Sequence, residues 1–177
     1  SALYGSDGLA GAVSFFTRDP SDLLRKFGGN SYASAAGAYS SDDKTVSATL
    51  SAAARFDRLE MMAVVNHKEG HELKNFGTVG GTGSARTMPN PADATGDGAL
   101  LKWVYRLDPQ QRIAVTLEKV RRSTDTDVLT GRIAVAGSTT VVVSSLLAAD
   151  DSDRNRATVQ HTVDGLNTSF ADRLQWA

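Results

Sequence analysis

The sequence predicts an all-β fold, an antiparallel meander of about seven strands. From about Ser31 onward, apolar and polar residues alternate with a period of two, which is typical of strands with one apolar face. The connections between these stretches are either tight turns or very long. With 16 Gly among 177 residues, and many Ala, Ser and Thr, large aliphatic side chains are too sparse for a thick soluble core.

Alternation is clearest between Thr45 and Phe56, where Val46 and Leu50 share one face and Ser and Thr residues fill the other. The same period continues along the chain, and the apolar face of every stretch is opposed by a polar one that carries Arg55, Lys102, Arg106 and Glu118. The other predicted strands are Ser31–Tyr39, Leu59–His67, Ala99–Leu107, Ile113–Glu118, Arg156–Val163 and a last strand from about Ser169 to Trp176.

The connections predict that this sheet belongs to a large transmembrane β-barrel. After a first short loop at Ser40–Lys44, tight turns alternate with long Gly-, Thr- and Asn-rich stretches. Outer-membrane barrels have short periplasmic turns and long external loops, whereas compact soluble domains rarely contain such loops. The tight turns are Arg55–Arg58, Asp108–Gln111 and Asp164–Asn167, and the long connections are Lys68–Gly98 and Ser123–Asn155.

The second long connection contains two short apolar runs, Ile133–Val135 and Val141–Val143. They predict a small hairpin inside the loop, and the alternative is an extra pair of wall strands. Acidic pairs at Asp42–Asp43 and Asp150–Asp151 are interpreted as solvated loop tips, because their spacing matches no calcium loop.

Composition excludes several functions. The chain has no Cys, which excludes disulfides and thiol catalysis, and its net charge of −1 gives no field that would attract nucleic acid. No pairing of a nucleophile with a base and no phosphate-binding loop occurs in a supporting context. We therefore expect a protein that is not an enzyme and does not bind nucleic acid.

The first seventeen residues differ from the rest and carry a family resemblance. They contain a Leu-Tyr-Gly-Ser element, a small-residue pair and a short apolar strand ending in Thr, with Ala10 where Gly is common. This stretch resembles the end of the plug domain of TonB-dependent outer-membrane receptors. The matching residues are Leu3, Tyr4, Gly5, Ser6, Gly11 and Thr17. The resemblance implies that residues 1–20 end the plug, 21–30 link it to the barrel, and 31–177 form the first part of the barrel.

Within that family, three stretches are similar to the haem and haemoprotein receptors: Thr17–Leu24, Asp127–Arg132 and Asp153–Arg156. The resemblance implies a bacterial outer-membrane location, with TonB and membrane lipid as partners. Haem is implied as cargo rather than as a cofactor of this segment, and a haemoprotein as its carrier. Two alternatives remain: the same architecture with a siderophore or cobalamin as cargo, and a soluble secreted β-domain with an adhesive or binding role.

Two histidines near the first long loop are candidate ligand contacts. Haem iron accepts an axial His, so His67 and His71 could meet an arriving haem, although ordinary solvated histidines are commoner in such loops. His161 is interpreted as a wall residue.

Aromatic residues on the apolar face lie close to strand ends. An aromatic girdle at the level of the lipid headgroups explains this placement, and core packing in a soluble sheet is the alternative. The predicted girdle consists of Phe56, Trp103, Tyr105, Phe170 and Trp176.

Overall fold

A computed structural model describes residues 18–132, 143–166 and 171–177. Three predictions lie outside these residues: the plug motif within residues 1–17, the apolar runs of the second long loop up to residue 142, and the placement of Phe170.

Seven strands form one sheet in which every strand pairs antiparallel with the next along the chain. The predicted all-β antiparallel meander is therefore confirmed. Within the described residues the sheet is open, because β1 and β7 each pair with a single neighbour. The strands are β1 Ser31–Tyr39, β2 Val46–Phe56, β3 Leu59–His71, β4 Ala92–Arg106, β5 Gln111–Asp127, β6 Leu147–Asp164 and β7 Arg173–Trp176.

The connections alternate between the two ends of the sheet, as predicted. We call the end with residues 57–58, 107–110 and 165–172 the turn end, and the end with residues 40–45, 72–91 and 128–146 the loop end. Asp57 adopts a φ of 50° in its two-residue turn. In the next turn, the Asp108 carboxylate accepts hydrogen bonds from the N–H groups of Gln110 and Gln111, both at 2.8 Å. These local contacts explain why the turn end is compact.

The two long connections are shorter than predicted, because the strands run further toward the loop end. The predicted loop Lys68–Gly98 shrinks to residues 72–91, and Ser123–Asn155 shrinks to residues 128–146. In this part of the sheet polar residues occur on both faces, so the sequence no longer alternates between apolar and polar residues. The backbone hydrogen bonds between neighbouring strands nevertheless continue. Asp150 and Asp151 illustrate the error, since they are not loop tips but pair with Thr124 and Ser123 of β5.

The two faces of the sheet have different surroundings. The register places the predicted apolar residues of all strands on one side, which we call the apolar face. Of these residues, the large apolar side chains that are exposed have exposed fractions of 38–66%. The buried strand residues lie on the opposite side, which we call the helix face; among them are Ala53, Met62, Lys102, Val104 and Thr162. Leu50, Leu101, Leu117, Val159 and Trp176 represent the apolar face.

A short helix, α1 Pro20–Phe27, packs on the helix face. Most of the predicted linker at residues 21–30 is therefore helical. Asp19 is the N-cap, Pro20 occupies the first turn, and Gly28 ends the helix with a φ of 70°. None of the helices within residues 18–132, 143–166 and 171–177 is long and apolar enough to cross a membrane.

The helix is held by one buried side chain. Leu24 is 1% exposed and packs against Ala53 and Met62, with Leu23, Tyr32, Val64 and Leu100 around this centre. The register confirms that these strand residues share one face, so α1 covers β1 to β4 from the side opposite the apolar face. Each strand that α1 touches thus has an occupied face and an open face.

We expect Leu24→Ala to loosen α1 and leave the sheet intact. Removing a buried Leu side chain costs about 2–4 kcal/mol, since the site loses both burial and packing. Hydrogen exchange at neutral pH would measure this as faster exchange of the Gly28 amide, which donates to the Leu24 carbonyl at 2.9 Å. Arg25→Ala is the control, because Arg25 is exposed and pairs only within the helix. Unchanged exchange at Gly28 in Leu24→Ala would contradict this account of how α1 is held.

Candidate functional site

An ion cluster fastens the start of α1 to the helix face. Asp19 Oδ1 lies 2.6 Å from Lys102 Nζ on β4, and Asp19 Oδ2 lies 2.6 Å from Arg112 Nη1 on β5. The Lys102 ammonium also lies 3.5 Å from the Arg18 carbonyl. The Lys102 side chain is only 7% exposed, so its pairing with a carboxylate offsets the cost of burying its charge. A residue between the first 17 residues and α1 is therefore joined to two neighbouring strands.

The surroundings of Asp19 keep it ionised. Burial raises the pKa of this carboxyl, but hydrogen bonds and charge from Lys102 and then Arg112 outweigh burial and hold the pKa below its ordinary value. The α1 capping contact supports the same geometry, because the Asp19 N–H donates to the Asp22 carboxylate at 3.2 Å. Asp19 thus combines a local role in α1 with a long-range role on the sheet.

A second acid lies deeper on the same face, near the turn end. Glu60 on β3 is 2% exposed, and its Oε1 lies 3.0 Å from Arg55 Nε and 3.4 Å from Arg106 Nη2. The sequence analysis placed Arg55, Arg106 and Lys102 on the polar face, and the structure confirms this and supplies their acidic partners. Their ion pairs hold neighbouring strands together on the helix face.

The two candidate ligand histidines lie on the other side of the sheet. His67 and His71 belong to β3, in its loop-end part and on the same side as the apolar face. His67 Nδ1 is 2.6 Å from Asp97 Oδ1, and His67 Nε2 is 3.1 Å from Glu69 Oε1. Both of its ring nitrogens therefore contact carboxylates, and it could meet iron only by leaving one of them.

His71 is the last residue of β3 and pairs through Nδ1, 2.8 Å from Asp93 Oδ1. Its role as a ligand contact stays a prediction, as does that of His67. Among the residues that the structure describes, no group of three His, Asp or Glu side chains could hold a metal ion.

The residues of the predicted girdle that the structure describes come together near the turn end. A chain of direct strand pairs joins Phe56 to Leu59, Leu59 to Tyr105, Tyr105 to Ile113, Ile113 to His161 and His161 to Trp176. Trp103 lies two residues nearer the loop end. The ring of His161 meets that of Trp176 edge to face, with centroids 4.5 Å apart, so the wall position predicted for His161 places it among the aromatics.

Comparison with known proteins gives three relatives and no matching family model. Hemoglobin-haptoglobin-binding protein A of Haemophilus influenzae is 32% identical over 124 residues, or 67% of this chain. Hemoglobin and hemoglobin-haptoglobin-binding protein A of the same organism is 33% identical, and a hemoglobin and hemoglobin-haptoglobin-binding protein of Haemophilus ducreyi is 29% identical, each again across 67% of this chain.

This chain resembles bacterial haemoglobin-binding proteins. It spans only 11–12% of the length of these relatives. The likeness agrees with the predicted resemblance to haem and haemoprotein receptors, and the relatives are named as binding proteins rather than enzymes.

The sequence analysis missed Asp19, Glu60 and Arg112 as site residues. Asp19 had a signal, because Asp19, Pro20 and Asp22 form a helix-start signal and Gly28 a stop signal. Glu60 had a signal too, because an acid opposing Arg55 across a two-residue turn falls on the same face. Arg112 had none, since it lies 93 residues from Asp19 in sequence.

We expect acid to release α1 from the sheet. Since the folded-state pKa of Asp19 lies below the ordinary 3.8, its ion pairs contribute fully above about pH 4 and are lost as the pH falls through the lowered pKa. The fluorescence anisotropy of a dye attached at exposed position 25 on α1 would fall as the pH decreases through this lowered pKa. Asp19→Asn should lower it already at neutral pH, because losing hydrogen bonds to charged groups costs about 1.5–3 kcal/mol.

The matched control is Asp22→Asn, which changes an acid in the same turn that contacts Arg25 and the N-cap rather than the sheet. This variant should keep the acid transition. An identical transition in Asp19→Asn and in the unmodified protein would show that Asp19 does not hold the helix.

Proposed function

We propose that this chain is the end of the plug and the first part of the barrel wall of a TonB-dependent outer-membrane receptor that takes up haem or haemoprotein iron. The motif in residues 1–17, the seven-strand meander with its short and long connections, and the haemoglobin-binding relatives support the proposal. The observation that carries the proposal is the outline of the apolar band, which is the strip of apolar side chains on the apolar face. The pairing of the strands shows where this strip ends on each strand.

The band reaches furthest toward the loop end on the first strands. The apolar face stays apolar as far as Tyr39 on β1 and Val46 on β2, which pair with each other. Val46 pairs in turn with Glu69 on β3, four residues beyond Val65, the last apolar residue there. The border of the band therefore steps toward the turn end between β2 and β3.

The border steps again further along the sheet. Val65 pairs with Ala99 on β4, so the border is level between these strands. Ala99 pairs with Lys119 on β5, two residues beyond Leu117, the last apolar residue there. Leu117 pairs with Ala157 on β6, where the border is level once more.

The slant of the border matches the tilt of strands in a membrane barrel. From β1 to β6 the border moves by six residues across five strand intervals. At about 3.3 Å per residue and about 4.8 Å between strands, it crosses the strands at roughly 40° from the perpendicular. A membrane layer cuts barrel strands that are tilted by about 35–45° in this way. We infer that the apolar face contacts lipid and that the helix face, with α1, looks into the lumen.

Beyond the border, charged side chains replace most apolar ones on the side of the apolar face, as expected for a wall that rises into water. On the side of the apolar face, His67 pairs with Asp97, and Arg121 pairs with Asp153. The loop end is therefore the external end, where a cargo arrives, and the turn end faces the periplasm, where TonB acts.

The test is uptake by the full-length receptor that carries this segment. We expect a bacterial strain that lacks haem synthesis and haem receptors to grow on haemoglobin when it expresses the receptor, and to stop when TonB is deleted. A strain carrying the empty vector is the control. Failure of both haem and haemoglobin to restore growth, although the receptor reaches the outer membrane, would contradict the proposed cargo, and growth that survives loss of TonB would contradict the proposed mechanism.

A further inference from the structure

An exposed aromatic side chain stands at the loop end. Phe76 in the connection 72–91 is fully exposed, and three other apolar side chains of this connection, Leu73, Val79 and Met88, are 43–65% exposed. Large apolar groups clustered in water at a surface mark a protein interaction site more often than a chance arrangement. We call these four residues the loop patch.

The connection that presents Phe76 is closed on itself. The Asn75 side chain donates to the Thr87 carbonyl at 3.0 Å and accepts from the Gly77 N–H at 2.9 Å. The Thr87 N–H donates to the Val79 carbonyl, and its hydroxyl accepts from the Val79 N–H, both at 3.0 Å. A Cβ at Gly77 would collide with the Thr87 carbonyl, so this close approach requires glycine. Phe76 therefore sits on a turn fixed from both sides.

The same connection is tied to both of its neighbours. Asn90 and Thr130 share two hydrogen bonds, of 3.0 and 3.1 Å, and the Gly83 N–H donates to the Leu129 carbonyl at 2.9 Å. On the other side, the Lys74 N–H donates to the Asp42 carbonyl at 2.9 Å. The described parts of all three loop-end connections thus form one continuous surface, from which Phe76 projects.

We propose that Phe76 is the anchor by which this surface holds the folded protein part of a haemoprotein, as distinct from its haem. The inference rests on the proposed function. A side chain that projects from a fixed loop fits a shallow apolar pocket on another protein, whereas a small planar ligand needs a concave site. Because the loop is fixed before binding, little conformational entropy is lost when the partner docks.

The experiment compares haemoglobin with free haemin on the full-length receptor in outer-membrane vesicles. We expect Phe76→Ala to weaken haemoglobin binding by about tenfold or more, the effect of losing an interface anchor. Binding of free haemin should stay within about twofold of the unmodified receptor. Asn75→Ala, which keeps the ring but releases the turn, should weaken haemoglobin binding by a smaller factor. Leu147→Ala is the matched control, because Leu147 is a 74% exposed apolar residue at the loop end, outside the loop patch.

The outcomes distinguish the role inferred for Phe76 from the proposed function of the receptor. Haemoglobin binding that is unchanged in Phe76→Ala would overturn this inference and leave the proposed function standing. Equal losses for haemoglobin and haemin, or an equal loss in Leu147→Ala, would also overturn it, because the effect would not be specific to an anchor for protein. An unmodified receptor that binds no haemoglobin would overturn the proposed function, and this inference with it.

Discussion

The structure depends on one sheet having two faces with opposite partners. On the helix face, α1 buries Leu24. The buried charges of Lys102 and Glu60 have partners of opposite sign in Asp19 and Arg55. On the apolar face, Leu, Val and aromatic side chains of all seven strands stay open to the surroundings. Because burying apolar surface is the main favourable term in folding, so large an open apolar face needs a partner outside the described chain. Lipid is the partner that the slant of the band favours.

The ion cluster links this wall to the segment that precedes it. Asp19 lies between residues 1–17 and α1, so its bonds to Lys102 and Arg112 tie the segment just before α1 to the sheet. The sheet also carries the connections of the loop end, whose hydrogen bonds run from Asp42 to Thr130.

The strands and their faces could be predicted from sequence, because a period of two fixes which side chains share a side. Val46 to Phe56 alternates without interruption, and the pairing with β3 follows from the two-residue turn at Asp57. Strand ends could not be predicted in the loop-end part, where His67, Asp97 and Arg121 carry no hydrophobic pattern although their backbones are paired. Whether residues there form a strand depends on pairing with the neighbouring strand rather than on local composition.

The helix α1 and the ion cluster show two other limits of prediction from the sequence. The start and stop signals of α1 were present at Asp19, Pro20 and Gly28, but residues 21–30 were interpreted only as a link between plug and barrel. Contacts between Asp19 and Arg112 depend on tertiary structure, since 93 residues separate them. The loop patch was hidden for a similar reason: a Phe in a Gly-rich stretch reveals its full exposure only once the surrounding hydrogen bonds are known.

The most direct measurement is the collision of spin labels with oxygen and with a water-soluble nickel chelate in membranes containing the full-length protein. Labels at Leu101, Leu117 and Val159 should collide often with oxygen, which concentrates in lipid, and rarely with nickel. Labels at Thr116 and Thr158, on the opposite face of the same strands, should show no such preference. If the first three labels are shielded from both reagents, as under a second protein layer, or are reached freely by nickel, the apolar face does not contact lipid.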